Sequence, residues 1–186
     1  MIYESSFWKD DLLKQAKFLR SKTNQKRWTK SSSARLEQSV MLGFYSIRKL
    51  NEARKISDSV SSQEIVVTAY KQKGQTPNRL NWLDIDKFYD LESSQTATKN
   101  LIFLCNLFIH SYIFREYFDT EGQLKGVFVN SDRERHQMLY ELEIEQIIKI
   151  FEQVGNNYPT SIVFKYDERK QDYDVKSSSW SMGATD

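Results

Sequence analysis

The chain has 186 residues, 39% of them hydrophobic, with 11 Phe, 10 Tyr and 4 Trp and a net charge of +2. That length favours one domain able to bury a real core, and only 6 Gly and 2 Pro argue against a collagen-like, loop-rich or linker chain. A single Cys excludes an internal disulfide and a thiolate zinc cluster; two His would need several carboxylates to complete a metal site, so neither metal nor cofactor is expected.

Ser5 to Lys22 reads as a helix. Phe7, Trp8, Leu12, Ala16 and Leu19 recur near helical spacing, with acids early and Lys17, Arg20 and Lys22 late, as the helix dipole prefers. "TNQKRWTKSSS" breaks the pattern and offers Ser31 to Ser33 as caps. A second helix is expected over about 33–57, with Leu36, Val40, Phe44, Ile47, Leu50 and Ile56 on its apolar face. Gly43 inside it costs about 1 kcal/mol against Ala, which suggests a close helix crossing. Glu64–Lys71 is short and β-branched, a strand. "QKGQTPNR" is a loop, and "LNWLDIDKFYDLES" fits a short strand or turn leading to a helical turn.

With Thr96 or Thr98 as cap, a third helix is expected over 97–112. From Ile113 to Asp132 the period changes to alternation about a Gly-containing turn, a hairpin signal. "RHQMLYEL" adds a third strand. A clearly amphipathic fourth helix runs over 142–155, with Ile144, Ile147, Ile148, Phe151 and Val154 on one face and Gly155 at its end. "TSIVFKYDERKQDYDVK" closes with another hairpin. The expected fold is α+β: a bundle of about four helices with a small antiparallel β-sheet contributed mainly by the C-terminal half. Residues 1–176 form a single domain, and 177–186 a flexible Ser-rich tail.

The start carries charges where a signal peptide has its apolar region, and no apolar run reaches the roughly 18 residues of a membrane span. A cytoplasmic protein, with no membrane partner, is the expectation. Residues 1–60 hold 13 Lys/Arg against 6 Asp/Glu, a net +7, and the remainder a net −5. This asymmetry fits a nucleic-acid face, attraction between the two halves, or solvated helix faces.

The most apolar stretch, "LCNLFIHSYIF" from Leu104 to Phe114, also holds the only Cys and one of the two His. On a helix, Asn106 and His110 are four apart and share a face. Histidine titrates near neutrality and serves as acid or base. Two readings fit: a site, or a structural pair whose polar atoms bond neighbouring backbone. Cys105 reads as a small buried hydrophobe.

A polar residue followed by His at this spacing, late in a helical bundle, resembles the HEPN superfamily, in which Arg precedes the polar residue and many members cleave RNA. Asn106, His110 and Tyr112 match the pattern; Cys105 stands where the family has Arg. The resemblance implies a metal-independent endoribonuclease or RNA-binding protein, a bacterial toxin or phage-defence component, acting as a homodimer with RNA and a protein partner or antitoxin. It makes His110 the proton-transfer residue, Asn106 its positioning or phosphate-contacting partner and Tyr112 a lining or modified residue. A guanidinium must then come from elsewhere to hold phosphate, and Arg115, Arg48 and Arg35 are the candidates. The alternative is a non-catalytic interaction module with Asn106 and His110 structural.

Three charged stretches have plainer readings beside functional ones. In "NSDRERH", strand alternation would put Arg133, Arg135 and Gln137 on one face, as a solvated hairpin edge. "NQKRWTK" suits nucleic-acid stacking or a loop anchored by Trp28. Arg48, Glu52 and Lys55 make an exposed ion-pair row.

Overall fold

In the computed structural model, which describes residues 2–179, the first apolar stripe forms α1 (Ser6–Lys22). The second forms α2 (Lys30–Glu52), burying Leu36, Val40, Gly43, Phe44, Ile47 and Leu50. α2 begins ahead of the expected position because its cap is Thr29, not Ser31 to Ser33; the Thr29 hydroxyl accepts from Ser32 N–H at 3.2 Å. It ends at Glu52 rather than Ser57. There the Arg54 N–H bonds Asn51 O and the Lys55 N–H bonds Leu50 O, with Arg54 at φ +55°. That is a Schellman termination built on Arg instead of the usual Gly.

A helical turn, α3 (Asp58–Ser61), leads to β1 (Glu64–Gln72); α4 (Ile85–Phe88) then runs into β2 (Tyr89–Asn100). β2 corrects the expected helix start at 97: "YDLESSQTATKN" lies antiparallel to β1, from Glu64 opposite Asn100 to Gln72 opposite Tyr89. Its mostly polar residues hide the strand in the sequence, because an edge strand is held largely by backbone bonds. α5 (Leu101–Ile109) therefore starts later, capped by Asn100, whose Oδ1 accepts from Phe103 N–H at 2.7 Å.

β3 (Ser111–Phe118) and β4 (Leu124–Ser131) form the expected hairpin, its turn closed by Gly122 at φ +76°. β5 (Met138–Glu143) follows. The expected strand alternation across Arg133, Arg135 and Gln137 is overturned: the chain turns at Asp132 and makes a short 3-10 helix at Glu134–His136. α6 (Ile144–Gly155) and the hairpin of β6 (Ser161–Asp167) and β7 (Asp172–Ser178) complete the described chain. The first five strands make one antiparallel sheet, ordered β2-β1-β5-β4-β3, and β6–β7 make a second. The fold is α+β.

Alternate residues of the five-stranded sheet face two cores. Val67, Ala69, Val127, Val129, Tyr140 and Leu142 pack with α1, α2, α5 and α6; Tyr70, Tyr89, Ile113 and Leu139 pack with Ile85 and Phe88. Trp28 packs against the first core and meets Phe118 edge-on at 5.1 Å, so the interhelical loop is anchored there. Among the described residues, no helix is long and apolar enough to cross a membrane.

Gly43 does mark a close approach. A Cβ there would lie 2.1 Å from Phe151 Cζ and 2.3 Å from Cε2. Ala would gain about 1 kcal/mol of helix propensity, but this overlap falls on a fully buried ring. Overpacking costs about 1–3 kcal/mol, so Gly43→Ala is expected to destabilise on balance. Urea melts measure this, and a more stable variant would show that Phe151 has room to move.

Lys9 on α1 is fully buried and has no carboxylate partner among the described residues. Its Nζ donates to Asn157 O and lies 3.8 Å above the Tyr158 ring. Burial, reinforced by the positive Lys55, pulls its pKa down to about 8. The folded-state value lies below the unfolded one. The cost of burying this charge is thus fully present below about pH 8 and fades as the pH rises toward 10.5. Lys9→Met is expected to stabilise the protein at pH 7 by about 1–2 kcal/mol, with the gain shrinking by about pH 10. Denaturant melts at both pH values check this; a Met variant less stable at pH 7 would refute it.

Of the expected tail from 177 onward, the first residues are held. Ser177 is buried, its Oγ–H donating to Ile56 O at 3.0 Å and its N–H to Asp58 Oδ2 at 2.9 Å. The rest of that tail, 180–186, lies outside the described residues.

Candidate functional site

α5 stops at Ile109 because the chain must enter β3 at Ser111. His110 is its C-cap, with its N–H bonded to Asn106 O at 3.0 Å. His110 O accepts from Asp132 N–H at 3.2 Å, which fastens the helix end to the turn after β4. Between the two lies a surface cavity of about 480 Å³ lined by Phe103, Asn106, Leu107 and His110 on one side and Ser131, Asp132, Arg133 and Glu134 on the other. His110 and Asn106 are both exposed, while Leu104, Cys105, Leu107 and Phe108 fill the core behind them.

The guanidinium comes from α2. Arg48 Nη1–H donates to Asn106 Oδ1 at 2.6 Å, and its Nε–H to Glu52 Oε1 at 2.7 Å. Lys49 reaches the other Glu52 oxygen at 2.9 Å, and both cations hold the Glu52 carboxyl below its usual range. Arg48 is thus oriented from one side by a carboxylate and bonded on the other to Asn106, one of the residues that line the His110 cavity. Its remaining Nη2 makes no hydrogen bond among the described residues, and the His110 ring makes none there either.

Cys105 cannot act as a nucleophile or ligand in this arrangement. It is fully enclosed, and burial pushes its thiol up to about 12, opposed only in part by Arg48. Among the described residues no three His, Cys, Asp or Glu side chains converge as metal ligands would.

The other sequence candidates are dispersed. Tyr112 follows the helix end into β3, where its ring is half-buried beneath the Arg135 guanidinium at 4.1 Å. Arg115 donates to Leu83 O at 2.5 Å beside a separate hollow with Asp84, Asp86 and Glu116. Arg35 lines a groove between α1 and α2 with Lys14, Phe18 and Leu42. It precedes Arg48 by 13 residues on one helix, roughly 20 Å along the axis. The second histidine, His136, sits on the 3-10 turn with its Nδ1 3.2 Å from Thr76 Oγ1.

Asp132, Arg133 and Glu134 line the cavity without a site role in the sequence. They belong to a charged run that reads as a solvated hairpin edge. The turn at Asp132 brings it to the cavity wall instead.

The chain matches no family model, no curated protein and no solved structure in these comparisons.

Proposed function

We propose that this protein binds RNA at the Arg48–Asn106–His110 rim and cleaves it there. The observation that carries the reading is the Arg48–Asn106 hydrogen bond, 2.6 Å long, next to an exposed histidine on a cavity. It supplies the guanidinium that the Cys105 position lacks. In this reading the free Nη2 of Arg48 and the Asn106 amide hold a phosphodiester and offset the charge that builds on its oxygens. His110 accepts the proton of the adjacent 2′-hydroxyl. The 2′-oxygen attacks phosphorus, and the 5′-oxygen leaves with a proton from solvent, yielding a 2′,3′-cyclic phosphate and a 5′-hydroxyl. A cytoplasmic toxin or phage-defence role belongs to the same proposal and would show as growth arrest on expression.

The exposure of His110 favours this reading over the structural one, which needs a ring enclosed and bonded by the protein. The test is incubation of purified protein with single-stranded RNA and identification of cyclic-phosphate ends, comparing wild type with His110→Ala. Equal behaviour of the two, with the variant folded, removes the ribonuclease. The second reading, an interaction module, is favoured by a different surface, the β6–β7 hairpin.

A further inference from the structure

The β6–β7 hairpin has one apolar face, and that face meets solvent. In its register Ile162 lies opposite Ser177, Phe164 opposite Val175, and Tyr166 opposite Tyr173. Ile162 is 43% exposed, Phe164 61%, Tyr166 52% and Tyr173 55%. The three rings form a preassembled cluster: Tyr173 meets Tyr166 at 5.1 Å and Phe164 at 6.2 Å, both edge-on. The opposite face, apart from Val163, carries Lys165, Asp174 and Lys176.

Among the described residues, the hydrogen bonds from the hairpin to the body lie near its root. Ser177 bonds Ile56 and Asp58, and Ser179 accepts from Asn157 Nδ2 at 3.4 Å. Beyond those bonds Phe164, Tyr166 and Tyr173 are each more than half exposed. An isolated two-stranded hairpin is marginal in water, and a contiguous apolar face of this kind marks a contact surface.

We propose that this face is a dimer interface, docking on the same hairpin of a second copy about a two-fold axis. Charge selects that occupant. From Ser161 to Ser178 there are four Lys/Arg (Lys165, Arg169, Lys170, Lys176) and four acids (Asp167, Glu168, Asp172, Asp174). A balanced rim gives an anionic membrane or a nucleic acid nothing to attract, and a strongly charged peptide nothing to complement. A copy of itself meets no net repulsion. An isologous contact requires a self-complementary patch, which a flat aromatic centre with a mixed-sign rim provides. Four large residues left about half exposed contribute roughly 500 Å² per copy, or roughly 1,000 Å² for the pair, the lower bound of a specific interface. The dimer is therefore expected to be weak, with a micromolar dissociation constant. This inference stands apart from the RNA proposal and uses none of its residues.

Sedimentation velocity on the full chain at about 10–200 μM tests it, a range spanning that dissociation constant. Wild type is expected to shift from monomer to dimer across the range. Phe164→Lys is expected to weaken the dimer at least about 30-fold, as loss of a central aromatic anchor does, while Val163→Lys on the opposite face of the same strand leaves it unchanged. Far-UV circular dichroism confirms that the variants keep their strands, and Tyr166→Ser serves as the milder second variant. A monomeric wild type throughout, a dimer indifferent to Phe164→Lys and Tyr166→Ser, or equal weakening by Val163→Lys would each overturn the proposal.

Discussion

His110→Ala is expected to lower RNA cleavage at least about a hundredfold, the usual contribution of a general base. Because the ring is exposed and unbonded among the described residues, stability should move by no more than about 0.5 kcal/mol. Arg48→Ala is expected to cost about 10²–10³ in rate, the price of one preorganised donor at a developing oxyanion. Arg48→Lys distinguishes a fork from a point charge: it keeps the positive charge but gives up one of the two contacts that Arg48 makes to Asn106 and Glu52. Little recovery by Lys is therefore expected. Arg115→Ala and Arg35→Ala, whose side chains lie at other hollows, should change the rate less than about threefold, within the range of an exposed charge. Full activity in a folded His110→Ala protein would end the proposal, and equal loss in all four alanine variants would move the site off this rim.

Phe44→Ala is expected to cost about 3–5 kcal/mol of folding stability. Phe44 is fully buried, stacked face to face on Phe108 of α5 at 4.1 Å and edge-on to Phe151 of α6 at 5.3 Å. Truncation opens one cavity shared by three helices, none of which can close it without moving the others. At about 2–4 °C per kcal/mol for a chain of this size, the melting temperature should fall by about 10 °C. Phe7 makes the comparison: five residues before Leu12, it points about 140° away from it around α1 and is largely exposed. Phe7→Ala should change stability by about 0.5 kcal/mol or less. Equal losses from the two substitutions would contradict the packing described here.

Phe7 also shows where sequence reading stops. The spacing of Trp8, Leu12, Ala16 and Leu19 marks a helix, and α1 forms, but Phe7 stands on its opposite face, so grouping every apolar residue into one stripe puts it on the wrong side. β2 was hidden for the complementary reason. "ESSQTATKN" has few apolar residues, and its strand exists through backbone pairing with β1, a partner that no local pattern names. The end of α2 was missed because its left-handed residue is Arg54, where the recognisable signal is glycine. At the site, the Asn106–His110 pair was legible, since i and i+4 on a helix must share a face. Among three candidate arginines the choice was not legible. The charged run around Arg133 reads as a strand edge, whereas the chain turns at Asp132 and carries Arg133 to the cavity wall.

The sequence by itself therefore determined the central turns of the four longest helices, most of the residues they turn inward, the α+β class, and the one-turn pairing of Asn106 with His110. All of these follow from periodicity within a few turns of chain. Only the tertiary structure decided that α2 lies beside α5, so that Arg48 meets Asn106 across 58 residues of chain. It also decided that the turn at Asp132 closes a cavity beside His110, and that the apolar face of β6–β7 is left exposed among the described residues. Each depends on which buried surfaces meet, and hydrophobic burial is non-directional: it specifies that a face is covered without specifying by what.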